Sequence, residues 1–428
     1  MNLWIDGHAT EAAPGESLLE IVRRLGLDHP QLSQRPLAAR IAGETFTLNY
    51  IPRRLRDETP DGAVSVRRAM EASGGRISLI RYTEPRGKRV YTRTVQFVLF
   101  LAVRRLYPGA IAKMNFTVGD TLNVTIEKTP AFSPADVPAL KAQVAHLIQA
   151  DIPLHRKRIS TQEAIAAFAA DGQEDKARLL AWRKAPYFDV YAYEDYMDYF
   201  YGEMAPSTGY LSVWDMVSDG GSGVQFCFPN PADPDQVAEY RERPNFSAVF
   251  AESGRWCALM DCDTVADLND LVQQGRLGEL IRVNEALHER SFSQIADQIL
   301  ERHAKAVLLA GPSSSGKTTS ANRLAVQLRV RGKRPILISL DDYYRDRDQI
   351  APGPDGKLDL EHINTIDTSL FRQQLSQLLQ GETILLPRFD FLTGRRVMTD
   401  RHLQLNQDSI IIVEGLHGLN PALLPENV

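Results

Sequence analysis

Cysteine is scarce in this sequence: the 428 residues include three, Cys227, Cys257 and Cys262. Three thiols are too few and too clustered for a disulfide framework, and no second pair of ligands accompanies Cys257 and Cys262 to form a metal site. We therefore expect buried thiols in a reducing compartment.

Long apolar runs and an excess of positive charge are also absent. No apolar run approaches the roughly 18 residues of a membrane-spanning segment, and residues 1–17 lack the basic stretch and apolar core of a secretory signal. The formal net charge of −5 provides no overall basic field for nucleic acid. We expect a cytoplasmic protein that makes no membrane contact, and the length is sufficient for about two to four domains.

One stretch of the sequence carries a specific chemical signal. Residues 306–310 form an apolar run, residues 311–318 fit the pattern G-x-x-x-x-G-K-[ST], and Leu324, Ala325 and Leu328 then share one helical face. The order strand, glycine loop, helix is the context in which this motif binds phosphate. The alternative is a chance Gly/Ser-rich turn, and the flanking elements argue against it.

The glycine loop predicts the contacts of a nucleotide. Its glycines let backbone N–H groups surround an anion, and the helix N-terminus adds partial positive charge. Lys317 would reach the β- and γ-phosphates, and the Thr318 hydroxyl would hold Mg²⁺. The loop alone does not distinguish ATP from GTP. The predicted nucleotide-binding residues are Gly311, Ser313, Ser314, Ser315, Gly316, Lys317, Thr318 and Thr319.

Acidic residues follow two further apolar strands. Asp341 and Asp342 come after residues 335–340, and Glu414 comes after residues 409–413. In a doubly wound sheet, ligands bind beyond the carboxyl ends of the strands. Carboxylates at that edge, in the same unit as a phosphate loop, can hold Mg²⁺ or accept a hydroxyl proton. The alternative for the aspartate pair is helix capping.

Four segments in order, GPSSSGKTT, LDDYYRDR, LPRFDFLTGRR and IIIVEG, resemble the uridine kinase/phosphoribulokinase family. The likeness covers about residues 304–428 and implies a parallel-sheet P-loop kinase. It implies that ATP and Mg²⁺ are used to phosphorylate the 5′-hydroxyl of a nucleoside such as uridine or cytidine. The expected catalytic residues are Asp341 and Lys317, the metal ligands are Thr318, Asp341 and Glu414, and the substrate contacts are Asp341, Tyr343, Phe389, Asp390 and Arg396.

The sequence departs from that family in two places. The base-stacking tyrosine aligns with Phe389, whose ring can still stack, and the base-reading histidine aligns with Gly394, which has no side chain to bond a pyrimidine. Further core strands and an arginine-bearing lid are expected after the IIIVEG strand. We expect an incomplete kinase domain that is weakly active or inactive, with an open sheet edge, and we expect a homo-oligomer.

Two other functions stay open at this point. One is a kinase that acts on a different sugar alcohol. The other is an RNA- or ribosome-associated regulator that uses the nucleotide as a switch. Hydrolysis by such a regulator should depend on added tRNA, whereas phosphorylation of a small substrate should not.

Residues 1–60 predict a small β-grasp module. Hairpin signals at Asp6-Gly7 and at residues 42–44 flank a helical pattern over residues 18–25. This arrangement resembles the TGS domain of threonyl-tRNA synthetases. We expect a docking or packing module, because no residue in it has a catalytic pattern.

Residues 61–285 predict an α+β domain that resembles the second additional domain of threonyl- and alanyl-tRNA synthetases. The corresponding helix of those enzymes carries an H-x-x-x-H metal pair used in editing, and Arg93 and Phe97 stand there in this sequence. Neither can replace a neutral imidazole, so we expect no zinc-dependent editing. DYFYG and PSTGYL, at residues 198–202 and 206–211, resemble a bacterial multidomain uridine-kinase-like family in which both modules precede the kinase, here residues 286–428.

Three segments of this domain carry weaker predictions. The basic patch at residues 155–158 is typical of a solvated helix end, and contact with RNA phosphates is the alternative. Residues 187–201 mix aromatic and acidic residues, which favours packed strand and turn over a nucleic-acid platform. Residues 246–263 alternate around Gly254 and predict a hairpin.

Overall fold

A computed structural model of the chain describes residues 2–52, 69–70, 72–352 and 358–425. The chain divides into two compact units, residues 1–273 and 274–428. Both units mix helices and sheets, as the sequence predicts. Within the described residues, no helix has the length and apolar character needed to cross a membrane.

The first unit contains two larger sheets, a smaller one, and the helices packed on them. Its strands are β1 (Asn2–Ile5), β2 (His8–Glu11), β3 (Pro36–Ile41), β4 (Glu44–Phe46), β5 (Arg76–Arg81), β6 (Ile111–Val118), β7 (Thr121–Glu127), β8 (Arg156–Ser160), β9 (Tyr187–Tyr193), β10 (Tyr196–Asp198), β11 (Asp215–Ser218) and β12 (Gly223–Cys227). Its helices are α1 (Leu18–Arg24), α2 (Pro85–Leu106), α3 (Val137–Gln149), α4 (Thr161–Ala170), α5 (Glu174–Ala181), α6 (Pro244–Leu259) and α7 (Val265–Gln273).

The first sheet has five strands in the order β2-β1-β5-β3-β4. Strand β5 runs parallel to β1 and antiparallel to β3, and it lies beyond the module predicted for residues 1–60. The predicted boundary at residue 60 itself lies outside the described residues. Helix α1 begins at a capping box of Ser17 and Glu20 and packs Ile21 and Val22 into the core of this sheet.

Helix α2 is the central element of the largest core. It buries Tyr91, Val95, Phe97 and Val98, together with other residues, against α3 and the four-stranded sheet β11-β12-β7-β6. The remaining sheet, β10-β9-β8, packs on α4 and α5. The predicted strand and turn at residues 187–201 are therefore confirmed.

Other local predictions for this unit are wrong. Residues 246–263 form no hairpin: helix α6 spans Pro244–Leu259, and Phe246, Val249 and Phe250 have the three- and four-residue spacing of a helix. The basic patch is not a helix end, because Arg156 begins strand β8. Of the cysteines, Cys227 is buried, whereas Cys257 and Cys262 are partly exposed.

The second unit is organised on a parallel sheet with the order β13-β17-β14. Its strands are β13 (Ala306–Ala310), β14 (Arg334–Ser339), β15 (Ile384–Asp390), β16 (Arg395–Leu403) and β17 (Ser409–Gly415). Its helices are α8 (Leu277–Glu301), α9 (Lys317–Val330) and α10 (Thr368–Leu379). Strands β15 and β16 form a separate antiparallel hairpin. The predicted domain boundary between residues 285 and 286 falls inside α8.

Strand β17 is the centre of this sheet, and both of its faces are covered. Ile410 and Ile412 pack with residues of α8 and α9, whereas Ile411 and Val413 pack with residues of α10 and β15. Successive side chains of a strand point to opposite faces, so an unbroken apolar run is required here. The carboxyl ends of β13, β14 and β17 consequently meet at one edge of the sheet.

Candidate active site

The glycine loop lies between β13 and α9, as the sequence predicts. Gly316 is left-handed, with φ of +84°, and Ser314 is left-handed as well, with φ of +60°. A side chain at Gly311 would place its Cβ 2.6 Å from the Ser315 hydroxyl oxygen, so glycine allows the loop to close on itself. The closed loop leads directly into the N-terminus of α9. Helix N-termini are favourable places for anions to bind.

Lys317 and Thr318 are the first two residues of α9. The Lys317 ammonium donates a hydrogen bond to the carbonyl oxygen of Pro312 at 2.9 Å and so lies over the loop. The Thr318 hydroxyl donates to Oε1 of Glu414 at 3.3 Å. The structure thus brings the end of β17 next to the start of α9, which local sequence patterns do not specify.

Ser339 joins the same group of residues and is not among the predicted site residues. Its hydroxyl donates to Oε1 of Glu414 at 3.2 Å and accepts a hydrogen bond from the Asp341 backbone N–H at 3.3 Å. Ser339 is the last residue of β14 and is paired in register with Glu414 on β17. The available signal was a hydroxyl residue two positions before the predicted base.

Asp341 is the half-buried carboxylate of this group. Burial raises the pKa of Asp341, and the negative charge of Glu414 raises it further, while Lys317 acts in the opposite direction. A carboxylate whose pKa is raised in this way is a stronger proton acceptor when it is ionised. The structure therefore brings three predicted site residues, Lys317, Asp341 and Glu414, into electrostatic contact.

The neighbouring aspartate has a different role. Burial raises the pKa of Asp342, and Oδ1 of Asp342 accepts a hydrogen bond from the Phe389 backbone N–H at 3.3 Å. This bond fixes strand β15 against the end of β14. The two adjacent aspartates therefore differ, because one faces the phosphate loop and the other holds the hairpin.

His417 is a second residue that the sequence analysis missed. It lies just after β17, and its positive form would lower the pKa of Asp341. Its Nε2 atom is buried and has no hydrogen-bond partner among the residues that the structure describes. Buried polar atoms are nearly always paired, so this unpaired ring nitrogen marks His417 as a candidate functional residue near Asp341.

Three aromatic side chains form a cluster on the hairpin side of the site. The Phe389 ring centroid lies 5.4 Å from that of Tyr344 and 5.1 Å from that of Phe391. Phe389 was predicted to contact substrate, whereas Tyr344 was missed. The three rings are tilted or edge-on to one another, and Phe389 is only 7% exposed, so Phe391, at 57%, is the ring of this aromatic cluster that a planar group can reach.

Two residues that were predicted to contact the substrate have structural roles instead. Tyr343 is 1% exposed, packs on Phe371, and donates its hydroxyl to Oε1 of Gln374 at 2.9 Å. Its side chain therefore lies in the core, and the adjacent Tyr344 is the one that reaches the aromatic cluster. The Asp390 carboxylate accepts hydrogen bonds from the backbone N–H groups of Leu392 and Thr393 and closes the turn between β15 and β16.

Arg396 is held beside the site with one donor unused. Its Nη2 atom donates to Oδ2 of Asp367 at 3.0 Å, whereas Nη1 is buried and has no hydrogen-bond partner among the described residues. The Asp367 pair fixes the guanidinium plane. A substrate oxygen would reach the remaining donor only after neighbouring side chains move.

Arg347 occupies the space next to Gly394. A Cβ at Gly394 would lie 2.5 Å from Cδ of Arg347, and Gly394 has φ of +68°. The Arg347 guanidinium donates to the carbonyl oxygen of Phe391 at 2.8 Å. In the uridine kinase/phosphoribulokinase family, the position of Gly394 is occupied by a histidine that reads the base. In this chain the Arg347 side chain, from another loop, packs against that position.

The donor atoms at the sheet edge fit a magnesium nucleotide. Thr318, Asp341 and Glu414 present hydroxyl and carboxylate oxygens, which are the ligands that Mg²⁺ prefers. The left-handed glycine loop, the ammonium of Lys317 and the N-terminus of α9 suit the phosphates. The fold and the site together define a P-loop protein of the phosphoryl-transfer class.

Comparison with known families agrees with that class. Residues 307–422 match the phosphoribulokinase / uridine kinase family, so this part of the second unit is similar to that family. This match supports phosphoryl transfer with ATP. A solved protein described as a possible uridine kinase from Bacillus stearothermophilus is 24% identical, with a TM-score of 0.28, over 31% of this chain and 74% of that chain.

The N-terminal region is similar to threonine–tRNA ligases. The threonine–tRNA ligase of Syntrophotalea carbinolica is 29% identical over 153 residues, which cover 35% of this chain and 24% of that protein. The enzyme of Anaeromyxobacter dehalogenans is 24% identical over 220 residues, covering 51% of this chain and 31% of that protein. The matched parts are thus about a quarter to a third of the length of these relatives.

Proposed function

We propose that the second unit transfers the γ-phosphoryl group of ATP to the 5′-hydroxyl of a nucleoside. The observation that supports this most strongly is the placement of Asp341 beside Lys317 and Glu414 at the edge where the three parallel strands end. A base, a phosphate-binding cation and an acid suited to Mg²⁺ are the parts that this reaction needs. A cytoplasmic location stays a prediction.

In the proposed reaction, Asp341 accepts the proton of the substrate hydroxyl as the hydroxyl oxygen attacks the γ-phosphorus, and the bond from that phosphorus to the β–γ bridging oxygen breaks to release ADP. Lys317 leaves the Pro312 carbonyl oxygen and binds the phosphates together with the loop N–H groups. Mg²⁺, when bound, neutralises charge on the phosphates. Ser339 and Thr318 hold the Glu414 carboxylate in place. Catalysis then depends on positioning and on charge compensation.

The acceptor would lie between the aromatic cluster and Arg396. A nucleobase would stack on the exposed ring of Phe391, and the unpaired Nη1 of Arg396, which is buried here, would donate to a sugar or base oxygen after a local shift of the neighbouring side chains. Burial raises the pKa of Tyr344 and the negative charge of Asp341 raises it further, so the aromatic cluster lies within electrostatic range of Asp341.

A second candidate is a kinase for a different sugar alcohol. The covering of Gly394 by Arg347 favours it, because no imidazole is available there to select a pyrimidine. A guanidinium at this position would suit an acceptor that carries hydrogen-bond acceptors or negative charge.

A panel of acceptors distinguishes these proposals. ATP turnover should be measured with nucleosides and with sugar alcohols, and the phosphorylated product should be identified by mass spectrometry, with Lys317→Ala as the inactive control. A nucleoside 5′-monophosphate is the expected product. Phosphorylation of a sugar alcohol alone would favour the second candidate. ATP hydrolysis that needs added tRNA and yields no phosphorylated product would overturn both in favour of a nucleotide-switched regulator.

A further inference from the structure

The first unit contains a cleft of about 360 Å³, and four of its nine lining residues are arginines. Arg86, Arg89 and Arg93 come from the N-terminal half of α2, and Arg156 comes from β8. The spacing of the three α2 arginines, at i, i+3 and i+7, places them on one face of the helix. We propose that this arginine cleft binds a small phosphomonoester dianion.

The hydrogen bonds within the cleft leave most of its positive charge uncompensated. Arg156 is paired with Glu203, whose side chain is 5% exposed, with 3.0 Å between Nη1 and Oε1. Arg86 donates to Thr45 Oγ1 at 3.3 Å, and Arg93 donates to the backbone carbonyl of Glu203 at 3.3 Å. These acceptors are neutral, so they do not offset the guanidinium charges.

Arg89 is the clearest donor for a ligand. No hydrogen bond or ion pair joins it to another residue in the part of the chain that the structure describes, and its side chain is exposed at the cleft. Glu44 is the second acidic residue that lines the cleft. Three uncompensated guanidiniums and one exposed carboxylate leave an excess of two positive charges, which a dianion would match.

The cleft also holds one guanidinium in a fixed position. Gly202 has φ of +120°, and a Cβ there would lie 2.7 Å from Cζ of Arg93, so glycine lets the guanidinium lie flat against the chain. Burial lowers the pKa of Arg93, and the charge of Arg89 lowers it further. Two neighbouring cations with no bound anion repel each other. A phosphate group bound between them would remove that repulsion.

The size of the cleft favours a small ligand over a nucleic acid. Its volume lies near the lower end of the range for small-molecule pockets, which is about 300–1,000 Å³. The fork of an arginine matches phosphate oxygens in pairs, and the proposed ligand has three of them. The chain as a whole is acidic, with a formal net charge of −5, which opposes a long polyanion.

The test measures binding in the Lys317→Ala variant of the chain, both units present, so that the P-loop does not contribute. Inorganic phosphate, adenosine 5′-monophosphate, adenosine and a short single-stranded RNA without terminal phosphates are titrated calorimetrically. Saturable binding of the monophosphate and none of adenosine is expected. Binding of inorganic phosphate as well would assign recognition to the phosphate group, and binding of the monophosphate alone would add contacts to the nucleoside.

Variants in the same background assign that binding to the cleft. Arg89→Ala and Arg93→Ala should each weaken it about 10- to 100-fold, as loss of a charge-assisted hydrogen bond does. Arg93→Lys should bind more tightly than Arg93→Ala, because it keeps the charge. Arg255→Ala removes an exposed arginine of the same unit outside the cleft and should change nothing.

The proposal is overturned by any of three results. These are the absence of saturable monophosphate binding, equal weakening in Arg89→Ala and Arg255→Ala, and arginine-dependent binding of the RNA but not of the monophosphate. Because Arg89 is exposed and lacks described partners, Arg89→Ala should unfold at the unchanged temperature, which verifies that the variant is folded. A variant that carries Arg89→Ala and keeps Lys317 is assayed for kinase activity. This assay tests the proposed function independently of ligand binding at the arginine cleft.

Discussion

Single side chains decide whether the glycine loop is a working phosphate site. Lys317→Ala should lower phosphoryl transfer about 10²–10³-fold, as removal of one charge-stabilising donor does, and should weaken ATP binding. The ammonium bonds a loop carbonyl and supports no core residue, so the unfolding temperature should hardly change. Steady-state kinetics and ATP titration check this result.

A lysine elsewhere in the second unit provides the matched control for that variant. Lys333 pairs with Asp408 at 3.3 Å, away from the loop, so Lys333→Ala should keep full activity. An unchanged rate and ATP affinity in Lys317→Ala would remove the P-loop assignment.

Asp341→Asn tests the proposed base. Asparagine keeps the shape of aspartate but cannot accept a proton at neutral pH, and general base catalysis is worth about 10²–10⁴-fold. We expect that loss in the rate of phosphoryl transfer, with a much smaller change in ATP affinity. Because Asp342 bonds the Phe389 backbone N–H instead, Asp342→Asn should affect stability more than chemistry. A loss below tenfold in Asp341→Asn would move the role of base to another residue.

Asp189 in the first unit gives a pH-dependent stability prediction. Despite burial, which raises it, the pKa of Asp189 is lowered by its two hydrogen bonds from Arg158, at 2.7 and 3.0 Å. A lowered folded-state pKa contributes stability above the ordinary value of 3.8, and this stability is lost as pH falls through the folded-state pKa. Asp189→Asn should therefore cost about 1–3 kcal/mol at pH 7 and progressively less below the ordinary value.

Thermal unfolding at several pH values measures this difference. Asp195 is the control, because its side chain is 82% exposed and lies 3.9 Å from Arg104. Asp195→Asn should change stability little at any pH, since exposed pairs contribute about 0–1 kcal/mol. A cost for Asp189→Asn that did not shrink on acidification would show that packing, and not charge, stabilises this site.

At the scale of elements, helix α9 is bounded by two left-handed glycines. Gly316 precedes it with φ of +84°, and Gly332 follows it with φ of +76°; a Cβ would meet nothing within 4 Å at either position. Alanine should therefore cost about 1–2 kcal/mol at each position through backbone strain alone. Only Gly316→Ala should also weaken ATP binding, because only Gly316 belongs to the phosphate loop.

Unfolding curves and ATP titrations of the two variants separate strain from function. Equal ATP affinity in Gly316→Ala and Gly332→Ala would show that the loop geometry at Gly316 is not needed for phosphate binding. A greater effect on affinity at Gly332 would contradict the assignment of the loop altogether.

Elements that depend on contiguous residues could be predicted from the sequence, and those that depend on distant pairing could not. The strand, loop and helix around Lys317 are local and were predicted correctly. The insertion of β5 between β1 and β3 required a partner from beyond residue 60. In helix α6 the apolar residues are mostly exposed, so its pattern carried little information about a buried face.

The same distinction holds for the site. Asp341 and Glu414 were found because they follow apolar strands, whereas the Ser339–Glu414 contact exists only through the register of β14 and β17. Tyr343 and Tyr344 are adjacent and chemically alike, so the sequence could not indicate which ring is buried. Arg347 reaches Gly394 across a loop, and no spacing rule predicts that contact.

At the scale of the whole molecule, the two units should differ in their need for metal. The second unit presents Thr318, Asp341 and Glu414 as oxygen ligands for Mg²⁺. In the first unit, Arg93 and Phe97 stand at the positions of the metal pair of the resembling synthetases, and Phe97 is fully buried. The described residues contain no group of three His, Cys, Asp or Glu side chains placed to bind a metal.

We therefore predict that chelation abolishes whatever phosphoryl transfer the chain catalyses and that Mg²⁺ alone restores it. Without nucleotide, the chelator should leave the unfolding temperature unchanged, because a structural zinc site would stabilise the fold and its loss would lower that temperature. Elemental analysis after dialysis, scanning calorimetry with and without chelator, and a metal-addition series for activity are the measurements. Two results together would contradict this prediction: stoichiometric zinc that survives dialysis, and a lower unfolding temperature after chelation. They would show that the first unit contains a metal site formed by ligands other than a histidine pair at positions 93 and 97.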